Sequence, residues 1–457
     1  MKQLPINNTI KEFATIFNQN GFKLYIVGGA VRDFILRIKN EDYDFATDAK
    51  PEDVISIFKT TIPTGIKHGT VTVLFKNNSF EVTTFRSEFD YRDGRRPDKV
   101  EFIRSLDEDL KRRDFSINAL AADATTGKIT DNHNGIHDLK NKTIKAIGDA
   151  QERFEEDGLR IMRACRFASK LNFVVDKETQ NAMKIKHNKI KNVSKERIKD
   201  ELFKLLNGKS PLEGLRLLEQ SNVLEIILPE LMKLKGLKQG GYHKLDAFEH
   251  TLLCTQASAD YNYPLNVRLA ALFHDIGKAE TQKEDSNRMS MYTKVSYSFY
   301  NHEIIGEKIT KDILTRLKAS NQRINKVCNL VRNHMFNYNY TWSDGAIKRF
   351  INRVGYENID ELFMLRMCDK KAISNKASWE SVRELDERIE EIKAKNEALS
   401  VKDLEINGKD LINLGIKKGP LFSQILNYLL NAVLDDPNLN KRDKLLEIAI
   451  SYYKSIY

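Results

Sequence analysis

Cysteine is scarce in this chain. The four present, Cys165, Cys254, Cys328 and Cys368, follow no paired or zinc-knuckle spacing. That argues against a disulfide framework and a cysteine metal site, and fits buried thiols in a reducing compartment. Long apolar runs are missing too: no stretch approaches the roughly 18–20 residues of a membrane span. The opening "MKQLPINNTIKEFATIF" lacks the charged-then-apolar plan of a secretory leader. A cytoplasmic location without membrane association is expected. No internal repeat or low-complexity tract occurs.

Charge, by contrast, is plentiful. Lys and Arg number 74 against 64 Asp and Glu, a formal net charge of +10 with pI about 9.1. A basic excess favours a polyanionic partner, because neutralised phosphates release condensed counterions. It equally describes lysines that are merely solvated. A hydrophobic share of 41% supports real cores. A chain of 457 residues exceeds what one core organises, so roughly two to four domains are expected.

Strand and helix signals alternate up to about residue 145. "KLYIV" reads as a strand, "AVRDFILRI" as a helix, and "VTVLF" and "FEVTTF" as strands joined by the turn "KNNS". Beyond about residue 150 helix dominates. "RFEEDGLRIMRACRFASKL" sets Phe154, Ile161, Cys165 and Ala168 at the spacing of one helix face, and "SKERIKDELFKLL" runs helical from Ser194 and Arg197. Breaks at "GKSP", "LPEL" and "KGLKQGGYH" separate further helices. The fold class is α+β: a mixed head built on a small sheet, then a long, all-helical remainder.

The stretch "YIVGGAVRDFILRIKNEDYDFATD" (25–48) holds the first chemistry. If "DYDFAT" is a strand, Asp42 and Asp44 share one face while Tyr43 and Phe45 pack the other. Neighbouring carboxylates resist ionising together, and a divalent ion resolves that conflict. A solvated edge strand is the other reading of an isolated Asp-x-Asp. Gly28 and Gly29 upstream let backbone N–H groups approach a triphosphate at the start of a helix. Arg32 and Asp33 are expected to contact phosphate and brace that turn. Glu81, in "FEVTTFR", reads equally as a third metal carboxylate or as a solvent-facing strand residue.

Here the sequence resembles the class II nucleotidyltransferases, the family holding CCA-adding enzymes and bacterial poly(A) polymerases. "LKRRDFSINALA" (110–121) is similar to the family's ribose-recognition motif, carried by Arg112, Arg113, Asp114 and Asn118. "DNHNG" (131–135) resembles its hinge between head and neck, and "SKERIKDEL" (194–202) the motif that buttresses the neck. "EEDGLRIMRACRF" (155–167) contains Glu156, Asp157 and Arg160, with Arg163 also assigned to nucleotide binding. On a helix, i and i+3 share a face. Asp157 would accept from the exocyclic amine of cytosine or adenine, and Arg160 would donate to cytosine N3 or adenine N1. Guanine and uracil present a carbonyl where that amine should be. "SEFDYRDGRRPDKVEF" (87–102) resembles the flexible loop that enzymes adding only the two cytidines lack.

The resemblance implies a two-metal site with Mg²⁺ on Asp42 and Asp44. An RNA 3′-hydroxyl would attack the α-phosphate of CTP or ATP, releasing pyrophosphate. It also implies four parts: a palm-like head (1–145), a helical neck (146–235), an HD domain (236–375) and a helical tail (376–457). The expected reaction adds C, C and A to the 3′ end of tRNA without a nucleic-acid template.

A second constellation lies in the helical body. "LAALFHDIGK" sets His274 beside Asp275, "FEHTLL" supplies His250 and "LRMCDKKA" supplies Asp369. Together they resemble the HD-domain metallophosphohydrolase pattern. His302 and His334 sit where some HD domains place ligands for a second ion, though each taken alone reads more readily as a satisfied core histidine. Imidazole with carboxylate suits Mn²⁺, Ni²⁺ or Co²⁺. Lysines in "MKIKHNKIKNVSKERIK" (183–199) and "KKGP" (417–420) read as a grip on the acceptor and T arms of tRNA or, for any one lysine more readily, as a solvated helix face. "LEINGKDLINLGIKKGPLFSQILNYLL" (404–430) resembles the family's C-terminal module. A poly(A) polymerase, an enzyme adding only the terminal A, and an HD phosphohydrolase with an RNA-binding head are the rival readings.

Overall fold

The computed structural model describes residues 3–40, 42–89, 99–240, 244–285, 296–374, 378–395 and 398–456. Residues 90–98 of the expected flexible loop and 241–243 of "KGLKQGGYH" lie outside them. The chain forms two compact units, Met1–Met232 with Arg316–Ala319, and Lys233–Thr315 with Ser320–Tyr457.

The first unit opens with α1 (Asn8–Gln19), capped by the Asn7 side chain, with Phe13 and Phe17 one turn apart on its buried face. β1 (Leu24–Val27) passes through Gly28 into α2 (Gly29–Ile35), and β2 (Asp44–Thr47) returns antiparallel to β1. Then come α3 (Pro51–Ile57), β3 (Thr61–Gly65), β4 (Thr70–Phe75) and β5 (Asn78–Thr84). The β4–β5 hairpin turns on Lys76 and Asn77, both at positive φ, a two-residue turn that suits strand twist. β6 (Arg86–Phe89) pairs with β7 (Lys99–Phe102). α4 (Leu106–Lys111), β8 (Ala121–Asp123), β9 (Ile129–Thr130) and α5 (Gly135–Lys140) complete the head.

Seven strands form one sheet, β3-β4-β5-β2-β1-β8-β9, antiparallel except where β2 lies parallel to β5. Its core is aromatic: the Phe13 ring meets Phe45, Phe58 and Phe80 at 5.4, 4.9 and 4.9 Å. Phe45 and Phe80 take that face, so alternation turns Asp44 and Glu81, paired in register, to the other.

One expectation about this strand is corrected. β2 begins at Asp44, and Asp42 lies in the loop before it, its N–H bonded to Asn40 Oδ1 at 2.8 Å. The partner strand ends at Val27, opposite Asp44, because Gly28 leaves the sheet.

The short parallel pair β10 (Thr143–Ile144) and β11 (Val174–Val175) flanks α6 (Ala150–Glu156) and α7 (Leu159–Leu171). The single helix expected here is thus two. A Cβ on Gly158 would lie 2.5 Å from the carbonyl carbon of Lys189, so another backbone occupies the space at the break. α8 (Lys177–Lys186), α9 (Lys195–Leu206), α10 (Pro211–Gln220), α11 (Val223–Ile227) and α12 (Pro229–Met232) finish this unit.

Among the described residues the second unit is helical apart from one short strand pair: α13 (Ala247–Asp260), α14 (Leu265–Phe273), α15 (Lys278–Thr281), α16 (His302–Arg316), α17 (Asn321–Asn333), α18 (Asp344–Val354), α19 (Ile359–Ile373) and α20 (Glu380–Ala394). α21 (Gly408–Asn413), α22 (Pro420–Asp435) and α23 (Arg442–Ile456) close around Leu411, Ile425, Leu429 and Leu445. The α+β class expected from sequence is the class observed. No helix among the described residues is long and apolar enough to cross a membrane.

Candidate active site and metal centre

A cleft of about 690 Å³ opens beside Gly28, Gly29 and Asp44, lined by nine arginine and lysine side chains and three carboxylates. Such an excess of cation suits a polyanionic ligand. Gly28 sits at φ 67°, and a Cβ there would stand 3.3 Å from Arg113 Nη1. Its N–H, expected to face phosphate, instead donates to the Leu120 carbonyl at 3.1 Å. α2 has only seven residues, so its dipole is weak support for an anion.

Arg32 is buried and clamped. Its Nε donates to Asp33 Oδ1 at 2.8 Å and Nη1 to Asn118 Oδ1 at 2.7 Å. Asn118 Nδ2 donates onward to Asp114 Oδ1 at 3.2 Å, and Arg163 Nε to Asp114 Oδ2 at 2.6 Å. Burial alone would raise the Asp114 carboxyl, but Arg163 and the Asn118 hydrogen bond outweigh it and hold it below the usual range. The motif residues therefore form one continuous polar chain along the cleft wall.

Asp44 behaves oppositely. Burial, then the carboxylates of Asp42 and Glu81, push its carboxyl up, with Arg113 opposing. A carboxyl raised by burial and by two neighbouring carboxylates fits a divalent ion as their shared counter-charge.

Asp157 and Arg160 both line the cleft but do not share a helix face. Asp157 caps the end of α6 and Arg160 lies in α7. Asp157 Oδ1 accepts the Leu159 N–H at 2.9 Å, and Oδ2 accepts Arg197 Nη2 at 2.7 Å. Arg160 bonds Glu156 and donates Nη2 to the Arg112 carbonyl at 3.2 Å. The Gly158 break separates the two, so each is held by its own partner.

Several cleft residues escaped the sequence reading as site residues. Arg166 Nε donates to Glu201 Oε2 at 2.6 Å, with its guanidinium 3.9 Å from the Phe167 ring centroid. Lys170 and Arg86 line the same cleft. Only the helical spacing of Arg197 and Glu201, four apart, was a signal. Of the neck lysines, Lys186 and Lys189 are engaged by Glu155.

In the second unit, six predicted residues come together. His250 Nε2 lies 3.1 Å from Asp369 Oδ1, and His274 Nε2 lies 3.2 Å from Asp275 Oδ2. His302 and His334 approach Asp275 Oδ1 at 3.5 and 3.9 Å. Two groups, His250–His274–Asp275 and Asp275–His302–His334, each bring ligand atoms within 4.8 Å of one another. Asp275 is common to both.

The ring orientations follow from the backbone. Nδ1 of His274, His302 and His334 faces the carbonyls of Ala271, Phe299 and Val331 at 2.9, 2.7 and 2.7 Å. A carbonyl only accepts, so the proton sits on Nδ1 and the Nε2 lone pair turns inward. His302 and His334 then oppose their Nε2 atoms at 3.2 Å. Burial, with His274 and His302 nearby, pushes His334 down to about 3, so a proton does not resolve the conflict. His274 Nε2, 3.2 Å from Asp275 Oδ2, makes no aligned hydrogen bond; burial alone would lower its imidazole, but Asp275 and Asp369 outweigh it and raise it. Converging lone pairs beside anionic carboxylates fit a cation.

Three family models match the chain: the Poly A polymerase head domain over residues 24–145, the RNA and SrmB-binding site of polymerase A over 172–234, and tRNA nucleotidyltransferase domain 2 over 290–449. The chain is 34% identical over 449 residues to the CCA-adding enzyme of Ligilactobacillus salivarius, spanning 98% of this chain and 95% of that protein. It is 50% identical over 218 residues to that of Enterococcus faecalis, 47% of this chain and 53% of the relative. Among solved structures, the Bacillus stearothermophilus CCA-adding enzyme in complex with CTP is similar at a TM-score of 0.72 and 26% identity, over 98% and 99% of the chains. The Thermotoga maritima CCA-adding enzyme complexed with tRNA shares the fold at 0.56 and 19%, over 97% and 95%.

Proposed function

This chain belongs to the family of CCA-adding enzymes, and from that premise we propose how its residues carry out the reaction. It is a nucleotidyltransferase that adds C, C and A to the 3′ end of tRNA from CTP and ATP. Membership implies dependence on a divalent metal, and we assign Mg²⁺ to Asp42 and Asp44, with Glu81 beside them.

Bound there, a pair of Mg²⁺ ions would activate the RNA hydroxyl and neutralise the leaving pyrophosphate. The 3′-hydroxyl oxygen, losing its proton to solvent, bonds to the α-phosphorus, and the bond from that phosphorus to the α,β-bridging oxygen breaks as pyrophosphate leaves. Arg32 and Arg113 face the triphosphate, while Arg112, Asp114 and Asn118 take the ribose. Each oxygen of Asp157 keeps a second lone pair for a base amine after bonding Leu159 and Arg197. With Arg160 and Arg163 alongside, it selects cytosine and adenine. The observation that carries this reading is the convergence of Gly28, Asp44, Asp114, Asp157 and Arg160 on one cationic cleft.

Four parts follow along the chain: head 1–145, neck 146–235, HD domain 236–375 and tail 376–457, the neck and tail holding the acceptor and T arms of tRNA. Buried, unpaired cysteines support a cytoplasmic setting. As a second reading, the opposed imidazoles support a divalent transition ion such as Mn²⁺, Ni²⁺ or Co²⁺ in the His/Asp centre.

The test is single-nucleotide product analysis on a tRNA transcript ending at the discriminator base, with Mg²⁺ and CTP, ATP or both. Two additions with CTP and one more with ATP are expected. A long ATP ladder would make it a poly(A) polymerase, and a single A added only to a preformed CC end would make it an A-adding enzyme.

A further inference from the structure

One buried carboxylate outside the residues assigned above organises the arginine side of the cleft. Asp109 lies near the end of α4 and is 1% exposed. Its Oδ1 accepts Nε and Nη2 of Arg112 at 3.0 and 2.7 Å, and its Oδ2 accepts Nη2 of Arg113 at 3.3 Å. The backbone N–H of Arg86, where β6 begins, reaches Oδ1 at 3.4 Å. Burial alone would raise this carboxyl, but the two guanidinium groups outweigh it and hold it ionised.

What Asp109 holds is turned toward the reacting groups. Arg113 stands 3.3 Å from where a Gly28 Cβ would be and acts on the Asp44 carboxyl. Its Nε is buried with no partner of its own. Adjacent guanidinium groups repel, and both would turn to solvent without a counter-charge. A carboxylate with one oxygen for each arginine fixes both forks in direction as well as in charge.

We propose that Asp109 is the positioning residue that aims Arg112 and Arg113 at the incoming nucleotide, touching no substrate itself. This rests on the reading of the cleft as the CTP and ATP site. Both nucleotides present the same ribose and triphosphate, so both depend on Asp109 alike.

The test uses the full chain with Asp109→Asn, Asp109→Glu, Arg112→Ala and Arg113→Ala, measuring KM and kcat for CTP and ATP alongside the melting temperature. Asparagine keeps one acceptor and turns an N–H₂ toward the other arginine. Its KM is expected to rise about tenfold or more for both nucleotides, with kcat changed far less, since a charge-assisted hydrogen bond is lost. Asp109→Glu keeps both acceptors and falls between that variant and the native protein. Should Asp109→Asn not fold, Asp109→Glu carries the test alone: a raised KM supports the proposal and an unchanged one overturns it. A lower melting temperature with KM unchanged makes Asp109 merely structural and overturns it, as does a fall in kcat alone. If both arginine variants leave KM unchanged, the reading of the cleft fails with it. If they raise KM and Asp109→Asn does not, only the positioning role fails.

Discussion

Asp44, proposed above as a metal ligand, shows how a residue placed for chemistry can work against the fold. Its carboxyl is held above the usual 3.8 by burial, Asp42 and Glu81. The folded protein therefore binds that proton more tightly than the unfolded chain does. Stability is lost as pH rises from 3.8 through the folded value, and the penalty is fully present at neutral pH. Asp44→Asn is expected to abolish nucleotide incorporation yet melt at a higher temperature at pH 7. That gap should close below the unfolded value, and added Mg²⁺ should narrow it by raising the native protein. Calorimetry across pH checks this, and a lower melting temperature at pH 7 would refute it. Asp114, in the same cleft, is stabilised as an anion, because Arg163 and Asn118 lie where Asp44 has carboxylates.

Among elements, the junction of α6 and α7 determines most. Gly158 packs against the backbone of Lys189 and Ile190, with would-be Cβ distances of 2.5, 2.6 and 2.9 Å. Backbone cannot yield as a flexible side chain can. Gly158→Ala is expected to destabilise by about 1–3 kcal/mol, the range for overpacking. It should also raise KM for both nucleotides by displacing Asp157 and Arg160. Denaturant titration and steady-state kinetics separate the two effects, and a neutral variant would show that the junction yields. Periodicity reads through this break because Phe154, Ile161, Cys165 and Ala168 are all buried even though two helices carry them. The sheet was more legible: "VTVLF" and "FEVTTF" form the β4–β5 hairpin because β-branched alternation and a turn between the runs are local signals.

At the scale of the whole molecule, each unit carries its own polar centre, one built of arginines and carboxylates and the other of histidines and carboxylates. The native protein, grown with added Mn²⁺ or Ni²⁺, is expected to retain the metal through desalting, and chelation should lower its melting temperature, since an ion bound only by the folded state stabilises it. Asp275→Ala, which removes the carboxylate common to both groups, should bring metal content to background by elemental analysis. Unchanged content would exclude this centre as the site. The sequence by itself determined the fold class, the hairpin, the order of the motifs and the two clusters of chemistry. These rest on local spacing and on residue types whose chemistry is narrow. Only the tertiary structure decided which partner each charge takes. Asp157 pairs with Arg197, 40 residues on, and Asp114 with Arg163, 49 residues on. Glu81 meets Asp44 only because two distant strands run parallel in register. Such pairings depend on how separate elements close on one another, and no local pattern encodes that.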